Sequence, residues 1–326
     1  MLSVVSVAIH ESQAPENVRR DLLTSLRTRR VNHKFHYDSV KQTNQWLALH
    51  QTYAPSRNDA DCAATYDRAF RAATDQIKAR SVHLIGLGCG GGQKDTRLLR
   101  RLRAQGKTLG YTPADVSVAM TLVARRAALK IVPAERCFPF VCDLATASDL
   151  SDTLVKQVPA RAARLFTFFG MIPNFEPQDI LPKLAKLVRR RDALLFSANL
   201  APGAVYAAGV ARILPQYDNR LTRDWLLTFL LDLGVTHGDG ELRFGVERGA
   251  GALRRIMARF EFKRCCTIAV EGESFTFQRG DSVRLFFSYR YTPELVRKHL
   301  ARQGLCVCEQ WLTRSGEEGV FLCRRQ

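Results

Sequence analysis

The most informative pattern in the chain is a short apolar run, Val82, Leu84, Ile85 and Leu87, bounded by Ser81 on one side and a crowd of glycines on the other. A continuous run of this length with β-branched character reads as a strand buried on both faces. Residues Lys94 to Arg103 then take helical spacing. The same rhythm repeats downstream. A helix over Lys94–Gln105 leads to a strand, Thr108–Thr112, which Pro113-Ala114-Asp115 ends. Ser117 can cap the next helix, running to about Lys130. Arg136–Val141 and Arg164–Phe169 read as strands, Pro177–Arg190 as a helix and Asp192–Asn199 as a fifth strand. Upstream, a helix over Cys62–Arg80 feeds the glycine strand. Alternation of this kind predicts a parallel sheet covered by helices on both faces.

The rhythm stops at Pro202-Gly203. Residues 204–234 read as helices with a turn at Tyr217-Asp218-Asn219. After Gly238-Asp239-Gly240 the pattern becomes that of antiparallel strands: Leu253–Phe262, Arg264–Val270, Ser274–Phe277 and Val283–Tyr289. A helix over Thr292–Gln303 carries its cap at Thr292, Pro293 at its first position and Gly304 just past its end. Leu305–Leu312 and Gly319–Arg324 close the chain as strands. Residues 1–59 look helical and polar. The expected fold is α/β: a Rossmann-like, doubly wound sheet over 60–203, with a second α+β unit built from 1–59 and 204–326. Ligands of such sheets bind at the carboxyl ends of the strands, so the second unit is expected to cover that edge.

Composition narrows the class. The 326 residues are 46% hydrophobic, enough for a sizeable core. No apolar run approaches the roughly 18 residues that span a bilayer. The opening MLSVVSVAIHE lacks the basic flank and cleavage site of a secretory signal, so a soluble, cytoplasmic protein is expected, with no membrane partner. Nine cysteines show no CxxC pair and no zinc spacing, which predicts buried reduced thiols and no metal site. The net charge of +18 raises a nucleic-acid partner. Against it, the arginines are scattered, with short clusters only at Arg27-Thr28-Arg29-Arg30 and Arg189-Arg190-Arg191, and no basic stripe interleaves with aromatics. Nucleic acid is therefore not the expected substrate. The oligomeric state is not legible.

Gly86, Gly88, Gly90, Gly91 and Gly92 follow the first strand. Glycine admits φ > 0 and close approach of another molecule, and a strand, turn and helix N-terminus together make a nucleotide-type site. Gly86, Gly88 and Gly91 satisfy the dinucleotide pattern; Gly86, Gly88 and Gly90 satisfy the turn of S-adenosylmethionine methyltransferases. The glycines alone leave both open, along with a purely structural turn. Asp115, at the tip of the second strand, can accept from both ribose hydroxyls under either reading. Asp143, at the tip of the third, can accept from an adenine amino group, or can cap the turn before Ala145. Acids at both tips favour S-adenosylmethionine. Lys94 opposes the dipole of its helix, which suggests pairing with an anion such as the methionine carboxylate.

Six segments, GLGCGGGQKDTRLL, YTPADVS, VCD, LFTFFGMIPNF, QYDN and FSYRYTPE, resemble in order and spacing the histidine-specific N-α-methyltransferases of ergothioneine biosynthesis, from about Phe35 to the C-terminus. The resemblance implies a class I methyltransferase sheet and S-adenosylmethionine held by Gly88, Gly90, Lys94, Asp115, Asp143 and Tyr37. It implies an amino-acid substrate held by Tyr53, Asn174 and Tyr217, with Tyr37 and Asn174 beside the reacting amine. One departure stands out. The family binds the imidazole with a glutamate and a serine two apart; here Ser288 remains, but Phe286 takes the glutamate position. Met171 and Pro173 also replace small residues of the family's loop. A phenyl ring cannot accept an imidazole N–H, and an unpaired buried polar group costs about 1–3 kcal/mol. The expected activity is thus S-adenosylmethionine-dependent N-methylation of an amino acid or similar small amine other than histidine. A nucleic-acid or protein methyltransferase, and a non-catalytic cofactor-binding protein, are the alternatives.

Overall fold

The computed structural model describes residues 4–156, 158–159 and 161–326. Its main sheet has eight strands. In chain order they are β1 (Ala8–Ile9), β2 (Ser81–Leu87), β3 (Thr108–Asp115), β4 (Phe140–Val141), β5 (Ala163–Phe168) and β6 (Ala193–Asn199), completed near the C-terminus by two more. Between β6 and those two lie β7 (Gly240–Arg248), β8 (Arg254–Phe262), β9 (Cys266–Val270), β10 (Glu273–Phe277) and β11 (Ser282–Arg290); β12 (Leu305–Leu312) and β13 (Glu318–Arg325) follow. The spatial order of the main sheet is β1-β4-β3-β2-β5-β6-β13-β12. Strands β1 to β6 pair in parallel, whereas β13 runs antiparallel to β6 and β12 antiparallel to β13. The chain leaves β2 first for β3 on one side and later for β5 on the other. That reversal opens a crevice at the carboxyl end of β2, where this class of sheet binds ligands.

The period-2 alternation of strands divides the core. Ile85, Phe166, Phe196 and Phe321 point into one buried cluster, and their neighbours Leu84, Leu165, Leu195 and Leu322 into another. A third cluster gathers Phe35, Trp225, Phe229, Phe260 and Phe286 between the helices Val40–Tyr53 and Arg220–Asp232 and a three-stranded antiparallel sheet, β11-β8-β7. The pair β9 and β10 forms a separate hairpin.

Five expectations change. The terminal strands β12 and β13 join the main sheet, so 305–326 does not belong with 204–304. The apolar run Val320–Cys323 is wholly buried, as a strand with neighbours on both edges requires. Residues 1–59 are not purely helical, because β1 pairs with β4. The third strand shrinks to Phe140–Val141, since Pro139 has no N–H to pair and Ala134–Arg136 forms a 3-10 turn. Conversely, β3 runs through Pro113 to Asp115. The thiols are free, as expected, but Cys265 and Cys308 are exposed rather than buried. Among the described residues no helix is long and apolar enough to cross a membrane.

Placing β13 in the main sheet has a measurable consequence. Phe321 is fully buried, with its ring centroid 6.4 Å from that of Phe196. Phe321→Ala is expected to cost about 3–5 kcal/mol in urea unfolding, and a loss below 1 kcal/mol would contradict a central β13. A second test concerns acid. His36 is buried beside Trp225, and its Nε2 donates to the Leu285 carbonyl at 2.6 Å. Burial lowers its pKa from 6.5 to about 4. The native state therefore binds fewer protons than the unfolded chain between those values, and stability falls as pH drops through the window. The advantage of wild type over His36→Gln should shrink by about 2 kcal/mol from pH 7 to pH 5; a constant difference would show that His36 does not stay neutral.

Candidate functional site

The turn after β2 is fastened to the end of β3. The Gly88 and Cys89 N–H groups donate to the Ala114 carbonyl at 2.8 and 3.0 Å. The Gly90 N–H donates to Asp115 Oδ2 at 2.9 Å. Asp115 Oδ1 accepts from the Ser117 N–H at 3.2 Å. Gly88 and Gly90 hold φ of +66° and +51°. A Cβ on Gly88 would overlap the Met171 side chain, and one on Gly90 would lie 2.9 Å from the Trp46 ring. Both positions therefore require glycine for conformation and for space.

This turn floors a cavity of about 690 Å³, within the roughly 300–1,000 Å³ of small-molecule sites. Tyr37, Gly88, Gly90, Lys94, Asp115, Asp143 and Asn174 all line it. Asp143 is held by a backbone bond from its N–H to Ser12 Oγ at 3.0 Å, which explains why the N-terminal segment returns to the sheet. Its Oδ1 accepts from the Ala145 N–H at 2.8 Å. Its Oδ2 is buried without a partner among the described residues. Burial raises the pKa of Asp115, opposed by its backbone hydrogen bonds. Burial, then the nearby Asp115 charge, pushes the Tyr37 phenol well up, so it stays a neutral donor. Asn174 donates from Nδ2 to the Phe287 carbonyl at 2.8 Å, leaving Oδ1 to accept.

Lys94 is less free than its sequence position suggested. Its Nζ donates to the Tyr66 hydroxyl at 2.9 Å and lies 3.9 Å from Glu318. Glu318, on β13, offsets the adverse helix dipole and itself lines the cavity.

Four expected substrate residues, Tyr53, Tyr217, Phe286 and Ser288, do not reach the cavity. Tyr53 ends its helix half-exposed and outside the lining, although Ala54, Pro55 and Ser56 beyond it do line it. Tyr217 turns elsewhere because a buried cation needs it: its hydroxyl accepts from Arg290 Nη2 at 2.8 Å and shares a 2.8 Å hydrogen bond with Ser288 Oγ. Phe286 is buried, not a cavity wall. Its ring sits 5.1, 5.9 and 6.1 Å from those of His33, Trp225 and Tyr217. The expectation that Tyr53, Asn174 and Tyr217 share one cavity fails for both tyrosines.

In their place stand residues that carried no sequence signal. Trp46 covers Gly90 and stacks on His50 at 4.8 Å. His50 is kept neutral, its pKa lowered to about 3 by burial and by the charges of Lys94 and Arg57. Asp95 ties β3 to β5 by accepting from Tyr111 and Thr167, each at 2.8 Å; burial raises its pKa to about 6. His33, Glu176, Arg284 and Phe287 also line the cavity.

Comparison with known proteins follows this geometry. No curated protein matches the chain by sequence. Among solved structures, the CcbJ methyltransferase of Streptomyces caelestis is 13% identical, covering 80% of this chain and 94% of its own, with a TM-score of 0.40. The 1,6-didemethyltoxoflavin-N1-methyltransferase of Burkholderia thailandensis is 13% identical, covering 87% and 90%, at 0.38. The N,N-8-amino-8-demethyl-D-riboflavin dimethyltransferase of Streptomyces davawensis is 12% identical, covering 97% and 71%, at 0.40. These likenesses are distant, and the fold stands on the strand order itself. The sequence pattern described as histidine-specific methyltransferase, SAM-dependent, matches residues 18–220 and 249–325, most of the chain. The chain belongs to that family and is an S-adenosylmethionine-dependent methyltransferase.

Proposed function

We propose that this enzyme methylates the amine of an amino acid or similar small molecule, and that histidine is not its substrate. The observation that carries the second half is Phe286: where the resembled enzymes keep a glutamate, this chain has a phenyl ring packed among His33, Trp225 and Tyr217, which accepts no imidazole N–H. Ser288 and Tyr217, hydrogen-bonded to each other, offer the imidazole no free pair of partners. In this reading the main sheet holds the cofactor, and the unit around β7, β8 and β11 with the N-terminal helices recognises the acceptor.

The cavity suits S-adenosylmethionine. The orphaned Asp143 Oδ2 is an acceptor waiting for a donor, as an adenine amino group supplies. Asp115 keeps a second lone pair on each oxygen for ribose hydroxyls while clamping the turn. The glycines leave room that any side chain would take. Lys94 and Tyr37 would face the methionine end, each able to donate. The cofactor supplies an electrophilic methyl group; the protein supplies alignment. The attacking amine must be neutral, and a free α-amino group, with a pKa of about 8, needs only modest depression in a dry cavity. Asn174 Oδ1 would accept from one amine N–H and aim the lone pair. Its fixed Nδ2 bond to Phe287 holds that orientation.

Two outcomes test these assignments. Asp143→Asn keeps an oxygen for the Ala145 N–H but turns a second donor toward adenine, so calorimetry with S-adenosylhomocysteine should show binding weaker by about 1.5–3 kcal/mol with an unchanged melting temperature; unchanged affinity would remove Asp143 from the cofactor site. For specificity, the protein should be incubated with S-adenosylmethionine and each of a panel of free amino acids, and the products weighed by mass spectrometry. A methylated amine is expected from an apolar or aromatic acceptor and none from histidine, and histidine methylated as fast as the best acceptor would overturn the reading of Phe286.

A further inference from the structure

The cavity lining carries a cation without an ion pair among the described residues. Arg284 is only partly exposed, lines the cavity, and has no ion pair or side-chain hydrogen bond among the described residues. Its neighbours are treated differently. Arg255 pairs with Glu176 at 2.7 Å and Glu247 at 2.6 Å. Lys34 pairs with Asp21 at 2.7 Å. Glu176 is further occupied by the Tyr289 hydroxyl at 2.6 Å. Glu176 and Glu247 are thus spoken for, and the Arg284 guanidinium rests 5.0 Å from the centre of the Phe287 ring. Burial, then repulsion by Arg255 and Arg30, outweighs attraction by Glu176 and Glu247 and lowers its pKa to about 10, leaving it charged at neutral pH without a direct partner.

His33 is the second observation. It lines the same cavity, its ring 4.7 Å from that of Phe287. Its two ring nitrogens are buried, and neither Nδ1 nor Nε2 has a partner among the described residues. Burial, then the charges of His36, Arg284 and Arg255, pushes its pKa well below 6.5, so it is a neutral ring with one N–H to donate. A buried donor and an unpaired guanidinium, both against the Phe287 ring, together ask for an anion with an apolar body.

The backbone makes this meeting possible. Between Arg284 and Phe286 the pairing of β11 with β8 slips by one residue, a β-bulge. In a regular strand residues 284 and 287 would face opposite sides; the bulge turns both to the cavity. Asn174 holds the carbonyl of that same Phe287, so the proposed amine acceptor and the cation both contact one residue.

We propose that Arg284 and His33 form a carboxylate-binding subsite, and that the acceptor carries a carboxylate beside an apolar or aromatic body, held there rather than by Tyr53 and Tyr217. This rests on the reading of the cavity as an amine methyltransferase site. The test uses the full chain saturated with S-adenosylhomocysteine and two probes, benzoate and the uncharged benzamide, followed by calorimetry and thermal shift. Benzoate should bind wild type at least tenfold more tightly than benzamide. Arg284→Gln should lose that preference and Arg284→Lys should recover part of it, with S-adenosylhomocysteine affinity reporting that each variant is folded. Equal binding of both probes by wild type, or benzoate binding unchanged in Arg284→Gln, would overturn the subsite. The two proposals fail separately. Amino acids methylated equally well by wild type and Arg284→Gln would sink the subsite and leave N-methylation standing. Benzoate binding that depends on Arg284, with no amine methylated, would do the reverse.

Discussion

Asp115 Oδ2 accepts the Gly90 N–H at 2.9 Å, and that bond decides where the cavity floor lies. It joins the tip of β3 to a turn whose glycines have no side chains to hold them. With the Gly88 and Cys89 N–H groups bound to Ala114, the turn cannot drift from the neighbouring strand. A carboxylate in this place is costly, because burial raises its pKa, and the backbone donors from Gly90 and Ser117 are what offset the cost. Other elements then close on the fixed turn: Trp46 over Gly90, Met171 over Gly88 and the Lys94–Tyr66–Glu318 cluster beside it. Glu318 arrives from the last strand and Ser12 from the first turn of the chain, so both termini are tied to this one floor.

The cavity is electrically divided. Asp115 and Asp143 stand at the strand tips, while Arg284, with paired Arg255 near it, lines the cavity from β11. His33 and His50, both held neutral by burial and nearby cations, line it without adding charge. A cofactor rich in donors and an anionic acceptor would meet opposite charges in such a cavity. The basic balance of the whole chain has no such organisation at this site, where most cations are consumed in local pairs.

Phe286 illustrates how a single replacement changes its surroundings. A glutamate there would need donors; the phenyl ring instead completes an aromatic cluster with Trp225, His33 and Tyr217. Tyr217 is then free to serve the buried Arg290, and Ser288 follows it. Inserting a glutamate at 286 now would bury a carboxylate against three rings, which costs more than the sequence comparison alone suggests.

The glycine turn, the acids at 115 and 143 and the strand–helix rhythm were legible in the sequence, because each rests on residues close together in the chain and on periods of 2 and 3.6. So was the loss of the imidazole-binding glutamate. Sheet membership was not. The run Val320–Cys323 announced a buried strand, but nothing local told it to pair with β6 rather than with the antiparallel strands preceding it. The substrate end was least legible. The family resemblance placed Phe286 and Ser288 toward the substrate, whereas Arg284 and Phe287, on either side of a one-residue bulge, line the cavity instead. Where a side chain points after such a slip depends on the partner strand, and where Tyr217 points depends on a buried arginine 73 residues away. Local patterns therefore determined the cofactor end, and only long-range packing decided what the acceptor end can hold.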